Sequence, residues 1–196
     1  MGQRHQAYLR LPEVYYNSDN VNNRPQRNVG LHHQWLYGYG AVNALYRFLA
    51  WVKKDSDNLR YISHDENGAF EAAYSFDHEL GYYHRVHTLT KEDSKDPNLG
   101  DNNNGITVID LAGKIPGYCF ASIGHLECLA GEFQPIEYAP IGVDTWLRLH
   151  YPNWQEENPE ILKRVRFIED KAELITIGRL KEIFPAMYSE VLHRKA

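Results

Sequence analysis

GQRHQAYLRL at residues 2–11 and VGLHHQWLYGYG at 29–40 decide how this chain folds. Each alternates apolar and polar residues with the period of a strand. In the first, Gln3, His5, Ala7, Leu9 and Leu11 share one face, and Arg4, Gln6, Tyr8 and Arg10 share the other. In the second, Val29, Leu31, His33, Trp35 and Tyr37 share a face. Strand interiors favour β-branched and aromatic residues. Two strands that both hold His and Gln therefore mark a feature to be explained.

Residues 12–28 carry Pro12, Pro25, Asn and charge, and read as a connecting loop. Antiparallel pairing with Leu11 opposite Val29 would set Ala7 against His33 and His5 against Trp35. His5 and His33 would then be diagonal neighbours, roughly 7–8 Å apart. After Gly38 and Gly40, Val42, Leu45, Leu49 and Val52 form the buried stripe of a helix over about 41–54. Lys53 and Lys54 suit the negative end of its dipole.

Downstream, AFEAAYSFD (69–77) is compatible with helix or strand, and HELGYYHRVHTL (78–89) reads as a strand. The polar stretch 91–105 is a loop, and ITVIDL and YCFASI follow as strands divided by Gly113 and Pro116-Gly117. A helix is expected over 143–150. Asn158-Pro159 opens another, since Asn caps and Pro suits the first helical position. Thr176 caps IGRLKEIF, which Pro185 ends, and a last short helix is expected beyond it. The reading is one α+β domain over 1–196: a strand–loop–strand–helix opening, a mostly antiparallel sheet, and helices concentrated in the C-terminal third.

Composition narrows the function classes. At 43% hydrophobic residues the chain can bury a core, and a net charge of −5 argues against a dedicated nucleic-acid binder. No apolar run approaches the ~20 residues of a membrane span, and no secretory leader is expected. Met1-Gly2 fails as a myristoylation signal because Gln6 stands where Ser or Thr is required. Cys119 and Cys128 are too few for a disulfide framework and point to a reducing, cytoplasmic setting.

GQRHQ at the N-terminus, HHQWLYG, GYYH at 81–84, GDNNNGITVID at 100–110, YCF at 118–120 and LITIGRLKEIFP near the end resemble an uncharacterised, chiefly fungal family. The resemblance spans most of the chain. It brings no assigned activity, and Asn104 stands where Asp is expected in the relatives.

Three constellations could carry chemistry. The first is His5 with His33, flanked by Gln3, His32 and Gln34 and completed by His84, Asp101 or Asp110. Such imidazoles could share acid–base work or hold a metal, or satisfy one another as a buried network. The second is Gly100–Gly105. An EF-hand alignment puts Gly100 at position 1 and Leu111 at position 12, so calcium fails there and a turn at Asn104-Gly105 fits better. The third, His78, His84 and His87, matches no zinc spacing. No serine sits in a nucleophile elbow, and no glycine-rich loop cradles a phosphate.

Two function classes follow. One is a self-associating or partner-binding module that uses the chain's abundant tyrosine and tryptophan, including Tyr15 and Tyr16. The other is a hydrolase or group transferase on a small polar substrate with His5 and His33 as its acid–base pair. No cofactor is expected, the enzyme reading leaves room for a metal at the His pair, and neither reading involves nucleic acid or membrane.

Overall fold

A computed structural model describes residues 4–11, 28–34, 36, 38–55, 58, 66–77, 82–83, 86–88, 105–121 and 139–185. The two decisive stretches form β1 (Arg4–Arg10) and β2 (Asn28–Gln34), followed by α1 (Tyr39–Lys54). The undecided segment is a helix, α2 (Glu66–Ser75), running into β3 (Phe76–Asp77), then β4 (Tyr82–Tyr83) and β5 (Val86–Thr88). Then come β6 (Ile106–Asp110), β7 (Gly117–Ala121), α3 (Val143–His150), α4 (Trp154–Glu157), α5 (Pro159–Lys171), β8 (Glu173–Leu174) and α6 (Ile177–Ile183). The final helix expected after Pro185 falls outside the described residues.

The main sheet runs β5-β2-β1-β6-β7-β8, while β3 and β4 pair separately. The α+β class holds, but the sheet is mixed rather than mostly antiparallel. Its central pair, β1 with β6, is parallel, as is β7 with β8. Parallel neighbours need a long crossover. Here the connection carries α1 and α2, so the helices are not concentrated in the C-terminal third either.

Strand alternation sends the two sheet faces into two apolar cores. Ala7, Leu9, Val29, Leu31, Ile109 and Phe120 pack under α1, α2, α3 and α5. Tyr8, Ile106, Val108, Cys119 and Ala121 pack against Ile175, Leu180, Ile183 and Phe184, so α6 and its flanks cover the reverse side. Cys119 is a buried free thiol, and desolvation pushes its ionisation far above the ordinary range, which leaves it a small hydrophobe.

Local chemistry sets the helix ends. Asn158 Oδ1 accepts from the Ile161 N–H at 3.2 Å with Pro159 at the first helical position, and Thr176 Oγ1 accepts from the Arg179 N–H at 3.2 Å. Buried Val42, Leu45, Leu49 and Val52 form the expected stripe of α1, joined by Ala41, Ala44 and Phe48.

The β1–β2 register differs from the sequence expectation by two residues. Leu9 pairs with Val29 and His5 with His33. A shift of two preserves which face each side chain occupies, so patterning alone does not exclude it. The effect is to place the two imidazoles directly opposite each other rather than on a diagonal.

Candidate functional site

His5 and His33 lie on the face covered by α1, α2 and α3, and both are 0% exposed. Each is met by a hydroxyl from another element. His5 Nε2 shares a hydrogen bond with Thr107 Oγ1 of β6 at 2.7 Å. His33 Nε2 shares one with Ser75 Oγ, at the end of α2, at 2.8 Å. The parallel pairing with β6 brings Thr107 beside β1, and the α2 terminus delivers Ser75 onto β2.

Aromatic rings close the cluster. Trp146 of α3 meets the His5 ring edge-on, with centroids 5.7 Å apart and planes at 65°. Trp146 also stacks on Phe120 at 4.9 Å, and its indole N–H donates to the Gly38 carbonyl at 3.3 Å. Tyr74 tilts against His33 at 5.5 Å. Burial drives the Tyr74 phenol far above its usual ionisation, opposed more weakly by the Thr107 hydroxyl and the Arg47 guanidinium. His5, Thr107, Tyr74, Ser75 and His33 thus form a polar seam inside an apolar core.

The other sequence candidates separate from this seam. His32 and Gln34 alternate onto the reverse face, half-buried, where His32 pairs in register with Gln6. Gln6 is buried there and accepts from the Tyr8 hydroxyl at 2.6 Å. Asp110 also lies on that face, paired with Arg10 in register, about 16 Å along the strand from the level of His5. It anchors α6: Arg179 Nε donates to Asp110 Oδ2 at 2.6 Å, and the Ala112 N–H donates to Oδ1 at 3.0 Å. Asp110 and then Glu182 raise the Arg179 guanidinium further above its already high range. Asp110 therefore does not complete the His5/His33 site, because strand alternation turns it away. Gln3, His84 and Asp101 lie outside the described residues, as do Tyr15 and Tyr16.

Among the described residues no three His, Cys, Asp or Glu side chains gather as a metal site. No helix among them is long and apolar enough to cross a membrane. Comparison with protein-family models, curated proteins and solved structures gives no match.

Sequence reasoning missed Thr107, Ser75, Tyr74 and Trp146. Thr107 is the lone hydroxyl within ITVID, and Ser75 the lone aliphatic hydroxyl within AAYSF, next to the Tyr74 phenol. Buried imidazoles require partners, so a hydroxyl at a core-facing strand position was the signal available.

The chemistry of the seam is holding protons between imidazole and hydroxyl groups. With neither His5 nor His33 reaching solvent, a substrate could meet them only if the helix layer opened. A double-mutant cycle tests the ordering role. His33→Leu or Ser75→Ala alone leaves a buried polar group without this partner and should cost about 1–3 kcal/mol. The double variant should recover part of the loss, with a coupling of about 1–2 kcal/mol in urea denaturation. Strict additivity would remove the hydrogen bond from this account.

Proposed function

We propose that this chain is a self-associating module, held in register by the buried His–hydroxyl seam and joined to a second copy through the β8 edge. The observation that supports it is an exposed aliphatic cluster at that edge. Ile115 is 51% and Leu174 48% exposed, and both line a groove of about 280 Å³ beside the Asp110–Arg179 pair. Ile177, at the start of α6, is 39% exposed.

The backbone supports the same edge. The Glu173 N–H donates to Pro116 O at 2.9 Å and the Ile175 N–H to Tyr118 O at 2.8 Å. The intervening Leu174 peptide groups therefore face away from β7, and no strand among the described residues takes that side. An open edge with apolar neighbours is a template for pairing, and two copies of one edge meet around a two-fold axis. A cytoplasmic setting fits the free, buried Cys119, and membership of the chiefly fungal family rests on its motifs.

Light scattering across a concentration series should show the mean mass rising toward a dimer. Leu174→Asp, counted once in each copy, should weaken association by about a hundredfold or more. A protein that stays monomeric at the highest concentration overturns the proposal.

The second reading is the hydrolase or group transferase, favoured by the His5–Thr107 hydrogen bond, which has the form of a base beside a hydroxyl nucleophile. It demands turnover of simple esters or phosphoesters that Thr107→Val abolishes without unfolding the chain. Absence of turnover across such a panel removes it.

A further inference from the structure

The backbone around β8 is extended beyond the two residues that pair with β7. Ala172 (φ −142°, ψ 148°) enters the strand extended from the end of α5, and Thr176 (φ −74°, ψ 158°) leaves it extended at the start of α6. In extended backbone, successive residues turn their peptide groups to opposite sides. Glu173 and Ile175 turn theirs to β7, where their N–H groups bond Pro116 and Tyr118. Ala172, Leu174 and Thr176 turn theirs outward. The helices take two of these outward groups. The Ala172 N–H donates to Ile168 O at 2.9 Å, and the Thr176 carbonyl accepts from the Leu180 N–H at 2.9 Å. The Ala172 carbonyl, both Leu174 groups and the Thr176 N–H make no backbone bond to another described residue.

These remaining groups complement themselves. Antiparallel pairing about a two-fold axis at Leu174 sets that residue opposite its own copy, and sets Ala172 opposite Thr176 of the second copy. Each Leu174 then exchanges both hydrogen bonds with its counterpart. Each Thr176 N–H donates to the Ala172 carbonyl across the axis. Neighbouring axes do worse. At Glu173, the Leu174 carbonyl would face the Ala172 N–H that α5 already holds. At Ile175, the Leu174 N–H would face the Thr176 carbonyl that α6 already holds.

We infer that two copies of this chain join in one register, with Leu174 on the two-fold axis and Ala172 bonded to Thr176 across it. The inference rests on the self-association proposed above and names the residues that set its geometry. The exposed Leu174 side chains meet at the axis, and Glu173 falls opposite Ile175 of the second copy. The two sheets continue into one another, with both helix layers on the same side.

Cysteine scanning reads the register directly. A hydrogen-bonded antiparallel pair holds its Cα atoms about 5.5 Å apart, within the span of about 4.4–6.8 Å that a disulfide bridges. Leu174→Cys, made together with Cys128→Ser, should link two copies under oxidised glutathione; Cys119 is buried and does not compete. Glu173→Cys in the same background meets its own copy only on a diagonal of about 7–8 Å, and should link about tenfold more slowly or not at all. Thr176→Pro removes the outward N–H at a φ that proline accepts. With two hydrogen bonds lost per dimer, association should weaken by about tenfold or more. If the proline disturbs α6 in circular dichroism, the cysteine pair still decides. Faster linkage through Glu173 than through Leu174 overturns the register while self-association stands. So does a folded Thr176→Pro chain that dimerises like the parent. A dimer in light scattering that neither cysteine links also overturns it, and moves the contact away from this edge. A chain monomeric throughout overturns the inference together with the reading on which it rests.

Discussion

Replacing Gly105 by Ala is expected to lower the unfolding free energy by about 3 kcal/mol or more. Gly105 has φ +88°, where an L side chain is strained by about 1–2 kcal/mol. A Cβ there would lie 2.6 Å from the Ala121 carbonyl oxygen and 3.0 Å from the Trp146 ring. The backbone cannot slide aside freely, because the Gly105 carbonyl accepts from the Gln6 N–H at 3.3 Å and Ile106 begins β6. Displacing a packed core by a methyl typically costs another 1–3 kcal/mol or so. The measurement is the urea midpoint at unchanged slope. Gly178→Ala is the control. It sits in α6, where the nearest atom to an added Cβ is 3.9 Å away, and should be neutral or slightly stabilising. Equal behaviour of the two variants would refute the steric argument.

Trp146→Ala is expected to cost about 3–5 kcal/mol, roughly a fifth or more of the stability of an ordinary domain. The ring is fully buried and touches three aromatic partners: Phe120 at 4.9 Å, His5 at 5.7 Å and His150 at 4.4 Å. Its loss leaves a cavity against His5 and removes one of the two donors to the Gly38 carbonyl, the Val42 N–H at 3.3 Å remaining. Trp146→Phe keeps part of the packing and loses the N–H, so it should fall between the parent and the alanine variant. Coupling supplies a sharper check, since a Cβ added at Gly105 would press on the Trp146 ring. In a Trp146→Ala background, Gly105→Ala should cost less than in the parent, because one of its two clashes has gone while the Ala121 oxygen remains. Full additivity would mean that the ring does not press on that turn.

How far the sequence foretold this depended on which interactions are local. The caps at Asn158 and Thr176 and the α1 stripe were legible because the residues that make them lie within a few positions of one another. The faces of β1 and β2 were legible because alternation has a period of two. Their pairing was not, since a shift of two leaves every face unchanged and the stretch of sequence between them is too long to set it. The parallel β1–β6 contact has no local signature at all. His5 and His33 were found as polar residues in apolar strands, but Thr107 and Ser75 were not, because each is partnered only through the tertiary fold. Asp110 was misplaced for want of a topology. Its own strand parity sets it opposite Thr107, and only the contact with Arg179 shows what it serves.

The central position of β1 has a kinetic consequence. Its antiparallel neighbour is close in the chain, but its parallel neighbour arrives about a hundred residues later, and the His5–Thr107 hydrogen bond spans 102 positions. Closing a loop of that size precedes any return from the contact, and chains dominated by such pairings fold slowly. Until β6 docks, the β1–β2 pair exposes an unpaired edge carrying Leu9 and Ala7, a template for wrong partners. During synthesis the first half of this sequence is therefore the vulnerable half, and it becomes safe only when Ile106–Asp110 has left the ribosome.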